Sequence, residues 1–175
     1  GIAWEEAQEG KKTESPEYER ARKAYFDQAT ILFESGVAGV LLETFCSLHD
    51  LEPAVAGSVE AAHGMPVLAS FAIDDACRLL GDAASIERAC ENCCSVQAAT
   101  QAVPRMVGAV DLPVMVRPNA GAPAMDEGGC PHWEEDVEGV ARASTRWVSD
   151  GARLVGTCCG FTPVATCAIS GALQG

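Results

Sequence analysis

Blocks of helical and strand-like hydrophobic spacing alternate along this chain. Residues 17–35, EYERARKAYFDQATILFES, carry apolar side chains at helical spacing. Ser15 and Pro16 stand just before them, a hydroxyl N-cap followed by proline at the first helical position, and Gly36 closes the segment. The stretch VAGVLLETF, 37–45, is a short apolar run with β-branched residues and predicts a buried strand. Ser47 can cap a helix over 48–63, LHDLEPAVAGSVEAAH, ended by Gly64, although Pro53 in its early turns shifts the expected start. PVLASFAI at 66–73, PVMVR at 113–117 and ARLVG at 152–156 predict further strands. Helices are expected at 96–110 and 133–150, with Trp133, Val137, Val140 and Trp147 on the core face, and a last helix near Thr162-Pro163. The first fifteen residues read as loop.

Strands that alternate with helices predict βαβ units and a parallel sheet, hence an α/β fold in one domain spanning 1–175. In such folds the carboxyl ends of the strands face the ligand. Glu43-Thr44-Phe45, Pro118-Asn119-Ala120-Gly121 and Thr157-Cys158-Cys159-Gly160 follow three of the expected strands, so a site is expected there. The stretch DAASIERACENCCSVQ breaks the alternation. It reads as helical or irregular, because IERAC is too polar for a buried parallel strand.

The formal charge of −13 argues against nucleic acid and an anionic membrane as partners, since both call for a basic face. No run approaches 18 apolar residues, so no membrane span is expected. The lysines are Lys11, Lys12 and Lys23, which excludes Schiff-base or P-loop lysine chemistry from the main body of the chain. The cysteines number nine, an odd count, and no export signal is visible before them. A disulfide framework is therefore not expected; a reducing, cytoplasmic setting with metal-binding or catalytic thiols is.

Cys158 and Cys159 are adjacent and bracketed by Gly156 and Gly160. Neighbouring residues of a strand point to opposite faces, so the pair can share one ion only where the backbone turns, and the glycines permit the turn. A third thiol must come from elsewhere: Cys93, with Cys90 and Cys94 as competitors. Three thiolates and an open position is a catalytic zinc pattern; four, with Cys90, Cys93, Cys158 and Cys159, is a closed structural one. His49, His63 and His132 show no metal spacing and read as structural, while Cys46, Cys77, Cys130 and Cys167 read as packing or surface thiols.

LLETF at 41–45, NC at 92–93, RPNAGAP at 117–123 and GTCCGFTP at 156–163 occur together and in this order. In this the chain resembles the homocysteine S-methyltransferases, the homocysteine-binding domain shared with cobalamin-dependent methionine synthase and betaine–homocysteine methyltransferase. The resemblance runs from about Tyr25 to Pro163. It implies a (β/α)8 TIM barrel of which about the last five βα units are present, one of them degenerate, with the N-terminal side truncated. It implies zinc held by Cys93, Cys158 and Cys159, homocysteine sulfur in the fourth position, Glu43 on the substrate ammonium, and Asn119 orienting substrate or standing in as a ligand. The implied reaction is methyl transfer from a donor to homocysteine, giving methionine. An incomplete barrel further implies association with another chain, or a homo-oligomer, that completes it. The competing expectation is a non-catalytic, zinc-stabilised module or a vestigial domain with a closed four-cysteine site.

Overall fold

The computed structural model describes residues 15–75, 77–78, 91–92 and 94–175. The chain divides into two compact units, residues 1–70 and 71–175. The described residues form a mixed α/β architecture with partial sheets and no closed barrel. None of their helices is long and apolar enough to cross a membrane.

In the first unit, α1 (Pro16–Glu34) begins where the sequence predicts: the Ser15 hydroxyl accepts the Tyr18 N–H at 3.0 Å and Pro16 follows. Strand β1 (Val40–Phe45) buries Val40 and Leu42 and exposes Leu41 and Glu43, the period-two pattern of a strand with one covered face. It starts later than expected, at Val40 rather than Val37. Helix α2 (Leu48–Ala62) is capped by Ser47 through the Asp50 N–H at 3.2 Å. Pro53 does not shift its start, and lies buried inside it. His63 at its end takes the left-handed conformation with φ 47°. Helices α1 and α2 pack on each other, and Gly57 makes that possible. A Cβ there would collide with the Arg22 carbonyl and come within 2.9 Å of the Phe26 nitrogen. Strand β2 (Val67–Ala72) neighbours β1, whose Val40 N–H donates to the Pro66 carbonyl at 3.1 Å.

In the second unit, the end of β2 pairs in parallel with β3 (Glu91–Asn92), Phe71 opposite Glu91 and Ala72 opposite Asn92. Residues 91–92 thus form a strand within the stretch expected to be helical or irregular. A two-residue parallel pairing needs backbone groups rather than an apolar run, so hydropathy did not reveal it. Residues 82–90 and 93 of that stretch lie outside the described residues, as does the expected loop at 1–14.

Helix α3 (Val96–Ala109) is capped by Ser95, and β4 (Met115–Val116) pairs in parallel with β7 (Leu154–Val155). Between them the chain forms an unpredicted antiparallel hairpin, β5 (Ala124–Met125) and β6 (Pro131–His132). Its turn is built on Asp126, whose carboxylate accepts the Gly128 and Cys130 N–H groups at 2.9 and 2.8 Å.

Helix α4 (Val137–Ser149) starts four residues later than the sequence suggests, with Asp136 as its cap. Trp133 therefore precedes the helix rather than lying on its core face. Val140 and Trp147 are fully buried as expected, and the Trp147 indole N–H donates to the Thr100 hydroxyl at 3.0 Å. Helix α5 (Pro163–Gln174) packs on α4 and carries Thr162 as its cap.

Candidate functional site

The residues after β7 form a turn with its own construction. Strand β7 runs beside β4 in a regular parallel ladder: the Leu154 N–H donates to the Val114 carbonyl, Gly156 to Val116 and Cys158 to Pro118, at 3.3, 2.9 and 2.8 Å. A regular parallel ladder would next bring the Ala120 N–H to the Cys158 carbonyl. It reaches the Cys159 carbonyl instead, at 2.9 Å. The β7 side has one extra residue, a bulge, at the thiol pair. The Cys158 carbonyl is taken up by the Phe161 N–H at 3.4 Å, and Gly160 turns the chain with φ 83°.

A bulge re-aims side chains, and here it removes the alternation that would send adjacent side chains to opposite faces. The two sulfurs lie 3.9 Å apart. Two thiolates on one tetrahedral zinc, each about 2.3 Å from it, sit about 3.8 Å from each other. The spacing of Cys158 and Cys159 fits that donor geometry. Among the described residues no group of three His, Cys, Asp or Glu side chains converges. The expected third ligand, Cys93, and its competitor Cys90 lie outside them. Cys94, the other competitor, is buried, and its carbonyl accepts the Asn119 N–H at 2.7 Å.

Asn119 is thus at the centre of the turn. Its side-chain oxygen accepts the Cys159 N–H at 3.2 Å, and its backbone bridges to Ser95. Two further contacts brace the same turn from residues 121–135. Trp133 lies against Gly160, where a Cβ would collide with the indole, and its ring N–H donates to the Gly121 carbonyl at 3.1 Å. The Glu135 carboxylate accepts both the N–H and the hydroxyl of Thr162, at 2.9 and 2.7 Å. Sequence reasoning missed Trp133 and Glu135 as supports of the thiol turn. The only signal for them was the helix cap at Thr162-Pro163, which says that an acceptor is useful there but not which residue supplies it.

Glu43 belongs to the first unit. It is exposed on β1 and lines a cavity of about 190 Å3 with Tyr25, Leu42, Phe45 and Ser58 among others. The Tyr25 and Phe45 rings stand 6.1 Å apart, tilted. The next residue, Thr44, is in the left-handed region with φ 63°, and its N–H donates to the Ser70 hydroxyl at 3.1 Å. A non-glycine residue held there marks a backbone fixed by its surroundings.

Fold and turn together define an α/β protein that presents a vicinal thiol pair at a strand end. Comparison with known families makes this specific: the homocysteine S-methyltransferase model matches residues 4–173, and the chain belongs to that family. It is 29% identical over 164 residues to a methionine synthase of Mycobacterium leprae, an alignment covering 84% of this chain and 14% of that protein. Its fold is similar to the crystal structures of the homocysteine methyltransferase MmuM from Escherichia coli. For the apo form the TM-score is 0.67 at 22% identity, covering 89% of this chain and 57% of that one. For the oxidized form it is 0.61 at 21%, covering 86% and 52%.

Proposed function

We propose that this chain is the thiol-binding part of a zinc-dependent homocysteine methyltransferase of the reducing cytoplasm, with Cys93, Cys158 and Cys159 as the metal ligands. The observation that carries the reading is the 3.9 Å separation of the Cys158 and Cys159 sulfurs, reached through a bulge and suited to one tetrahedral ion. Family membership supplies the reaction class. Cys93 is assigned from the NC motif, and its chain neighbour Cys94 is bonded to the same Asn119 that holds Cys159.

In this reading the strands are about the last five of a (β/α)8 barrel. Bound zinc would stabilise the homocysteine thiolate at neutral pH. Glu43 would hold the substrate ammonium by a charge-assisted hydrogen bond. Asn119 would border the substrate. The substrate sulfur attacks the methyl carbon of the donor in line, so that the new S–CH3 bond forms as the bond from donor to methyl breaks. The protein's own cysteines hold and orient; they are not methylated.

Zinc X-ray absorption tests this. The zinc-loaded chain is expected to show about three sulfurs, rising to about four with homocysteine. Four sulfurs from the start, unchanged by homocysteine, would replace this reading with a closed structural site. A chain that takes up no zinc would end both.

A further inference from the structure

The bulge leaves one backbone group over. A parallel strand turns alternate residues toward a given neighbour, and the residue inserted by a bulge has no ladder partner for its N–H. Here the ladder bonds take the Cys158 N–H and the Cys159 carbonyl, leaving the Cys159 N–H outside the ladder. Asn119 supplies the acceptor from its side chain, at 3.2 Å. The same residue is fixed from behind, its own N–H on the Cys94 carbonyl at 2.7 Å and its backbone in a bridge with Ser95, the cap of α3.

We propose that Asn119 is a positioning residue for the thiol pair: its amide oxygen, by accepting the Cys159 N–H, holds the bulged turn in which the Cys158 and Cys159 sulfurs converge. This rests on the zinc reading above and deepens it. The oxygen that an asparagine would offer to a metal or a substrate is directed at a backbone N–H. Asn119 therefore acts on the site through the cysteines. Supporting residues one bond removed from a metal's ligands typically set ten- to a hundredfold in its affinity. Without this acceptor the Cys159 N–H turns toward water, the bulged turn loosens, and the sulfurs diverge.

The test compares the full chain with its Asn119→Ala, Asn119→Ser and Asn119→Asp variants, each checked for native circular dichroism. Zinc affinity is read by competition with a chromophoric chelator. A phenylarsenical, which bridges two nearby thiols without any metal, reads the pair directly, with a Cys158→Ala/Cys159→Ala variant as background. Alanine is expected to weaken both zinc and arsenical binding about ten- to a hundredfold. Serine, too short to reach the N–H, should do the same and stands in if the alanine variant does not fold. Aspartate keeps an oxygen in place and should recover most of the loss. Zinc and arsenical binding unchanged in both alanine and serine would overturn the proposal, as would an aspartate variant no better than alanine. Loss of an oxygen neighbour from the zinc absorption spectrum of the alanine variant, with its sulfurs kept and its arsenical binding normal, would also overturn it and make Asn119 a direct ligand. If the native chain takes up no zinc, the zinc reading fails by itself. The arsenical comparison then decides this proposal: weaker binding by the alanine variant supports it, equal binding sinks it.

Discussion

Gly57 and Gly160 are both positions where one added methyl group would collide with something, and the two collisions differ in kind. At Gly57 the obstacle is main chain, the Arg22 carbonyl and the Phe26 nitrogen of a packed helix. Neither can move unless α1 moves, so this glycine sets the approach of α1 and α2 and belongs to folding. At Gly160 the obstacle is the Trp133 side chain, which can rotate, but the glycine also holds φ 83° beside the two thiols. It belongs to the site. One close approach stabilises a core, while the other shapes a turn that the core does not need.

The contrast can be broken by substitution. The largest effect is expected from Gly57→Ala. Overfilling a packed contact costs about 1–3 kcal/mol, and a main-chain obstacle places this case at or above the top of that range. Thermal or urea unfolding checks it. Zinc affinity of the folded fraction should stay within about threefold, and a larger fall than in the Gly160 variant would invert the comparison. Gly160→Ala is expected to cost less stability, about 1–2 kcal/mol for a side chain in the left-handed region. It should weaken zinc by about tenfold or more as the turn shifts, measured by the same chelator competition. Glu17→Gln sharpens the scale from below. Its ion pair with Arg20 on α1 is exposed, so stability should change by less than about 0.5 kcal/mol. A change as large as at Gly57 would mean that the outer face of α1 matters as much as its packed face.

Much of the architecture was legible because the signals were local. Ser15 and Ser47 are legible as caps in the sequence, and Ser95 and Thr162 also cap helices in the structure, each hydroxyl accepting from an N–H two or three residues on. Hydrophobic spacing, by contrast, misplaced the start of α4 at Trp133. Trp133 and Glu135 look like helix residues in sequence, but Asp136 is the cap and both are used on the turn before α5. Strand β3 and the β5–β6 hairpin escaped notice because two-residue pairings leave no period to detect. At the site, the sequence placed Cys158 and Cys159 correctly at a strand end and inferred that the backbone must turn there. It did not show how. The bulge is a relation between two strands about 40 residues apart, and no pattern within either one encodes it.

That bulge has a consequence for how the site can be inherited or lost. Both thiols face one point because the β7 side is one residue longer than the β4 side across the turn. The property is therefore one of counting. Deleting Thr157 would let the ladder close evenly and send the sulfurs to opposite sides, with both cysteines still present. Alignments that match the two cysteines while shifting the gap by one would class such a chain as intact, although its two sulfurs would no longer converge.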